Sequence, residues 1–154
     1  MIPEEEYENG HILISRANKK LSDAGVKVNM GAHGQLQGLG AHWEIWMMKQ
    51  GGMTNMEALK TATINAAESL GFDDWIGSLQ VGKLSDLIVI DKNPLDDIYN
   101  TEGIIYTVVN GRIYNSETMN ETGNYNKIRE KFYWEKGRNA GTFPWHDNAD
   151  GHGD

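Results

Sequence analysis

The chain contains no cysteine, three prolines among 154 residues, and fewer basic than acidic side chains, 14 against 22. The missing cysteines exclude disulfides and thiolate metal sites, though they leave the compartment open. The acidic excess, a net charge of −8 with no basic run, argues against a nucleic-acid partner. No apolar run approaches the ~20 residues that a membrane span needs. The opening Met1-Ile2-Pro3-Glu4-Glu5-Glu6 lacks the basic-then-apolar order of a signal peptide, so localisation stays undetermined. What remains is globular composition, with 39% apolar residues, a length suited to one domain and no internal repeat.

The apolar spacing predicts four kinds of element. Leu13, Ala17, Leu21 and Ala24 recur on one stripe of a helix over about residues 4–24, closed by Gly25. Val26-Lys27-Val28-Asn29-Met30 alternates as a short strand. After a loop with four glycines in residues 31–40, a helix is expected over about 41–50. Thr54 and Glu57 form a capping box opening a third helix, with Met56, Leu59, Thr63, Ala66 and Leu70 as its buried stripe and Gly71 as its end. Beyond residue 75 the period becomes extended. Leu87–Ile90 and Ile104–Val109 read as strands, and Asn110-Gly111 is a type I′ hairpin signal leading into Arg112-Ile113-Tyr114. A helical piece is expected near Asn126 to Trp134 within a polar end. The organisation divides into residues 1–75, 76–115 and 116–154, the last a partly disordered tail. A lone strand has donors and acceptors without an obvious partner, which suggests that something upstream is missing.

Few residues could carry chemistry. His33 follows the strand directly and sits in a glycine-rich loop, the place where ligands gather in parallel α/β proteins. An imidazole there could bind a divalent metal or move a proton, or it could simply hydrogen-bond its own loop. Gln35 and Gln37 could bond a substrate amide, or merely be solvated. His42 and Glu44 are two apart, about 200° around a helix, so they do not make a helical metal pair. Both also suit a cap or a packed polar position, and Trp43, Trp46 and Met47 beside them suit a core. Asp86, at the start of an apolar strand, reads as an acceptor for backbone N–H groups; Asp91, Asp96 and Asp97 suit a turn around Asn93-Pro94. His146, Asp147, Asp150, His152 and Asp154 read as a solvated tail.

Together the segments are familiar. Gly52-Met53-Thr54-Asn55-Met56-Glu57-Ala58-Leu59 through Thr63-Ile64-Asn65-Ala66-Ala67 resembles the last barrel helix of the amidohydrolase superfamily. Gly77-Ser78-Leu79, Gly82-Lys83-Leu84-Ser85-Asp86-Leu87-Ile88-Val89-Ile90-Asp91, Asn93-Pro94-Leu95 and Val108-Val109-Asn110-Gly111-Arg112 resemble the return into its small β-sandwich. The likeness covers about residues 20–115 and is nearest to the imidazolonepropionase- and prolidase-like group. Gly31-Ala32-His33-Gly34-Gln35 is similar to the form found in members fused to a TolB-like propeller.

The resemblance implies an α/β fold: the terminal strand and helices of a metal-dependent (β/α)8 barrel plus strands of the small β-sandwich, incomplete as it stands, since a full barrel takes roughly 250 residues. It implies hydrolysis of an amide, cyclic amide or dipeptide-like C–N bond by metal-activated water, zinc being the expected ion, in a complete enzyme rather than in this chain alone. His33 stands where the family's metal-binding Asp would be, as metal ligand or proton-transfer residue. Gln35, His42 and Glu44 would line the mouth of the site. The partners implied are a small-molecule amide and either the missing barrel segment or a second copy. The alternative is a non-catalytic interaction module whose strand edges and Trp43/Trp46 surface bind a partner.

Overall fold

The computed structural model describes residues 10–33, 36–132 and 135. Four helices precede a four-stranded sheet: α1 (Gly10–Asp23), α2 (Leu39–Gln50), α3 (Asn55–Thr61), α4 (Ile64–Leu70), β1 (Leu87–Ile90), β2 (Ile104–Val109), β3 (Arg112–Asn115) and β4 (Glu121–Thr122). A 3-10 turn, Ile98–Glu102, lies between β1 and β2. The sheet is an antiparallel meander in the order β1-β2-β3-β4, with Leu87 opposite Val108 and Tyr106 opposite Asn115. Among the described residues no helix is long and apolar enough to cross a membrane.

Local chemistry settles the element ends. The Thr54 hydroxyl accepts the Glu57 N–H at 3.2 Å, and the Glu57 carboxylate accepts the Thr54 N–H at 2.7 Å, the reciprocal capping box that opens α3. At the end of α1, Val26 N–H reaches Leu21 O and Gly25 N–H reaches Ser22 O, both at 3.0 Å, a Schellman closure. Asn110 and Gly111 both carry positive φ, 49° and 76°, as a type I′ turn requires. Asp86 Oδ1 accepts the Asn110 N–H at 2.6 Å, so the carboxylate at the start of β1 fastens the hairpin.

The core gathers Ile45 and Met48 of α2, Met53, Ala58 of α3 and Ile98, with Val28, Met30, Trp46, Leu59 and Ala62 packed around it. Trp46 Nε1 donates to Ile98 O at 3.1 Å and Thr101 Oγ1 at 2.9 Å, and its ring meets Tyr99 at 4.8 Å. This ties the helical half to the return segment that leads into the sheet.

Four expectations from the sequence are corrected. The α1 stripe of Leu13, Ala17, Leu21 and Ala24 is exposed, and the helix docks through its His11, Ser15, Asn18 and Ser22 face instead. The reason is steric: Ser15, fully buried, seats against the backbone of Gly51, and only small residues allow that approach. The single helix expected over 54–71 is two, α3 and α4, broken at Ala62 and Thr63. The hydroxyls of Thr61 and Thr63 bond Ala58 O at 2.7 Å and Leu59 O at 2.9 Å, competing with the helical ladder. Its buried residues are Ala58, Thr61 and Ala67, while Met56 and Leu70 are exposed. The strand expected over residues 26–30 does not form: the segment joins no ladder, and no strand lies beside it among the described residues. The described part of the helix expected near Asn126–Trp134, residues 126–132, is not helical; its Lys127 makes an isolated antiparallel bridge to Glu121 of β4.

Candidate functional site

In place of a strand ladder, one backbone bond and several side chains hold residues 27–30. Met30 N–H donates to Thr61 O at 3.0 Å, Asn65 Nδ2 to Val28 O at 3.2 Å, and Asn29 Nδ2 to Ser69 Oγ at 2.7 Å, while Lys27 pairs with Glu68. The segment therefore lies along α3 and α4. Val28 and Met30 point into the core, as the alternation predicts, and Lys27 and Asn29 reach α4. Asn29, Asn65 and Glu68 were not singled out from the sequence. The polar positions alternating with Val28 and Met30 were the only signal that could have found the first of them.

The carboxyl end of this segment carries His33. Its side chain is exposed and makes no hydrogen bond among the described residues. Just before it, the Gly31 N–H donates to Glu44 Oε2 at 3.0 Å, so α2 touches the loop at its first residue. Gly40 of α2 faces Ala32, and a Cβ on Gly40 would stand 3.8 Å from the Ala32 Cβ.

His42 and Glu44 leave the helix on different sides. Glu44 turns to Gly31, whereas the His42 ring lies 6.3 Å from that of Trp46, one turn on. The His42 Nδ1 is buried without a hydrogen-bond partner among the described residues. Gln35 lies outside the described residues, as do His146, Asp147, Asp150, His152 and Asp154. His11 is engaged by Gln50 Oε1 at 3.1 Å, and Asp97 caps the 3-10 turn through the Tyr99 N–H at 3.1 Å, so both have structural roles. Trp46 is packed and hydrogen-bonded; of the Trp43/Trp46 pair only Trp43 is exposed.

The donor chemistry of His33 suits a divalent cation, since a free imidazole nitrogen is a common metal ligand. One nitrogen does not make a site. Among the described residues no three His, Asp or Glu side chains converge to hold a metal ion. The site's geometry is that of one exposed donor in the loop after residue 30, backed by an acidic residue on the following helix.

The model of the amidohydrolase family matches residues 9–114, well over half of the chain. The chain belongs to that family, whose members generally use divalent metals. It is 34% identical over 96 residues to a 5′-deoxyadenosine deaminase of Methanobrevibacter smithii, covering 57% of this chain and 22% of the deaminase. It is 49% identical over 39 residues to an imidazolonepropionase of Symbiobacterium thermophilum, covering 25% of this chain and 9% of that protein. Among solved structures, a Xaa-Pro dipeptidase with methionine bound in its active site superposes with a TM-score of 0.60 at 34% identity. The match covers 67% of this chain and 26% of the dipeptidase. The chain thus spans about a quarter or less of the length of these relatives, which include deaminases and hydrolases acting on C–N bonds.

Proposed function

We propose that this chain supplies the carboxyl-terminal part of a metal-dependent hydrolase of C–N bonds, and that it is inactive alone. In this reading α1 to α4 and the extended segment are the last part of a (β/α)8 barrel. The meander sheet belongs to the small β-sandwich beside it. The observation that carries the reading is the segment 26–30: it joins no ladder, and the loop after it presents an exposed His33 with no hydrogen bond, both among the described residues. An unpaired segment leading to a free imidazole fits a barrel strand whose neighbouring strands are not in this sequence.

His33 would give one nitrogen to the metal, zinc by donor chemistry, or hold the proton moved in hydrolysis; Gln35 would meet the substrate amide. A bound divalent ion supplies a water of lowered pKa and a Lewis acid for the scissile carbonyl. The family's deaminase, imidazolonepropionase and dipeptidase relatives support an amide, cyclic amide or dipeptide-like substrate over an ester or a phosphate.

The exposed apolar side chains Leu13, Ile14 and Leu21 on α1 support a large missing contact, either the rest of the barrel or a second copy. Metal content per chain, measured on the purified 154-residue protein together with its solution mass, tests the whole reading. Metal well below one per chain and no turnover of dipeptides or cyclic amides are expected. Stoichiometric metal that disappears in His33→Ala would overturn it, because the chain would then build a site alone or by self-assembly. In a complete enzyme carrying this segment, His33→Ala should abolish turnover while leaving the fold intact, and full turnover by that variant would remove His33 from the chemistry.

A further inference from the structure

We infer that Glu44 is a positioning residue, which fixes the loop carrying His33 by accepting the Gly31 N–H, rather than a group that meets substrate. The inference rests on the proposed role of His33, but its test does not. The 3.0 Å bond from Gly31 to Glu44 Oε2 is the last tie on the extended segment before His33 among the described residues. Upstream, Met30 is fixed to Thr61 O; downstream, Ala32 and His33 are exposed and make no hydrogen bond of their own among the described residues. Two residues of extended chain span at most about 7 Å, so the conformation at Gly31 decides where the imidazole can be.

The other end of the bond is rigid. Glu44 is followed by buried Ile45 and by Trp46, whose indole is pinned to Ile98 O and Thr101 Oγ1, with Met48 buried one turn on. α2 therefore cannot rotate Glu44 away without breaking the core. A carboxylate accepting a backbone N–H is the stronger, charge-assisted form of this bond, suited to an exposed place where water competes. The space around Gly31 matters too: a Cβ there would touch nothing within 4 Å, so no side-chain packing at this position would take over from the N–H bond. Without the Glu44 acceptor, nothing else among the described residues fastens that N–H.

Amide hydrogen exchange and heteronuclear NOEs of the ¹⁵N-labelled 154-residue chain, compared between wild type, Glu44→Ala and Glu44→Gln, provide the test. Glu44→Ala should speed exchange at the Gly31 amide by about 10-fold and lower the NOE at His33. Glu44→Gln keeps an oxygen acceptor and should hold both near wild type, within about 3-fold. The Thr54 amide, locked in its capping box, should not change in either variant. Unchanged Gly31 exchange in Glu44→Ala overturns the proposal. So does loss of protection at Thr54 alongside Gly31, which would make Glu44 a general structural residue, and so does a Gln variant as mobile as the Ala one. None of these readings involves metal or turnover, so they can fail while the hydrolase reading stands, and the reverse.

Discussion

Gly51 lies so close to Ser15 that a Cβ on it would stand 2.3 Å from the Ser15 carbonyl carbon and 2.5 Å from its Cβ. The φ of Gly51 is −73°, open to any residue, so its lack of a side chain serves the approach of α1 alone. Gly51→Ala should therefore force α1 off α2 and destabilise the chain by about 1–3 kcal/mol, the usual range for overpacking. Urea unfolding measures it. Gly40→Ala is the control: it sits inside α2 with only an ordinary 3.8 Å neighbour, and should gain about 0.5–1 kcal/mol from helix propensity. Equal effects at the two positions would disprove the seat.

The hairpin depends on a residue far from it in sequence. Asp86 Oδ1 holds the Asn110 N–H at 2.6 Å, and Ser85 O accepts the Gly111 N–H at 3.1 Å, so the start of β1 clamps both turn residues. Asp86→Ala should cost about 1–2 kcal/mol and increase amide exchange at Asn110 first. A variant that unfolds like wild type, with Asn110 still protected, would show that the type I′ turn stands unaided.

How much of this was readable beforehand depends on the range of the forces involved. The Thr54–Glu57 box, the Gly25 closure and the Asn110-Gly111 turn are decided within a few residues, and each was legible. The family resemblance was legible for the same reason: its motifs are turns and caps in fixed order. Burial is decided by partners. The α1 stripe looked like a core face because Leu13 and Leu21 are apolar, but among the described residues nothing covers them, and Ser15 took the packed side. Over 26–30 the alternation of faces was legible, with Val28 and Met30 on the core and Lys27 and Asn29 on α4, but the expected strand does not form because no strand lies beside it among the described residues. At the site, His33 was singled out from its place after the alternating segment, and its role is a proposal. The bond from Glu44 to Gly31 was not legible, since twelve residues lie between them and no periodicity links the two.

Acid should weaken the sheet end of the molecule. Arg112 donates to both oxygens of buried Glu121, at 2.6 and 2.5 Å, and holds its carboxyl below the ordinary value. Arg129 does the same to Glu135, with help from the Phe132 N–H, taking it down to about 2. A carboxyl lowered on folding adds stability that is full above its unfolded value and is lost as pH falls through the folded one. Tm should therefore hold above about pH 5 and fall progressively towards pH 2. Glu121→Gln should start lower and show a shallower fall. A Tm that is flat from pH 5 to pH 2 in the wild type would mean that these pairs contribute nothing.

His42 and Trp46 lie one turn apart on α2 and should respond in opposite directions. Trp46 Nε1 satisfies both Ile98 O and Thr101 Oγ1, and Thr101 is buried, so Trp46→Phe strands two acceptors and should cost about 1–3 kcal/mol. The His42 Nδ1 has no partner at all among the described residues. Replacing a buried nitrogen that bonds nothing by carbon removes an uncompensated desolvation, so His42→Leu should be neutral or stabilise by up to about 1 kcal/mol. Urea unfolding of both variants decides it. A strongly destabilised His42→Leu would mean that the imidazole makes a contact its geometry here does not contain. In a complete enzyme, a His42→Leu variant that is stable but inactive would return that side chain to the mouth of the site.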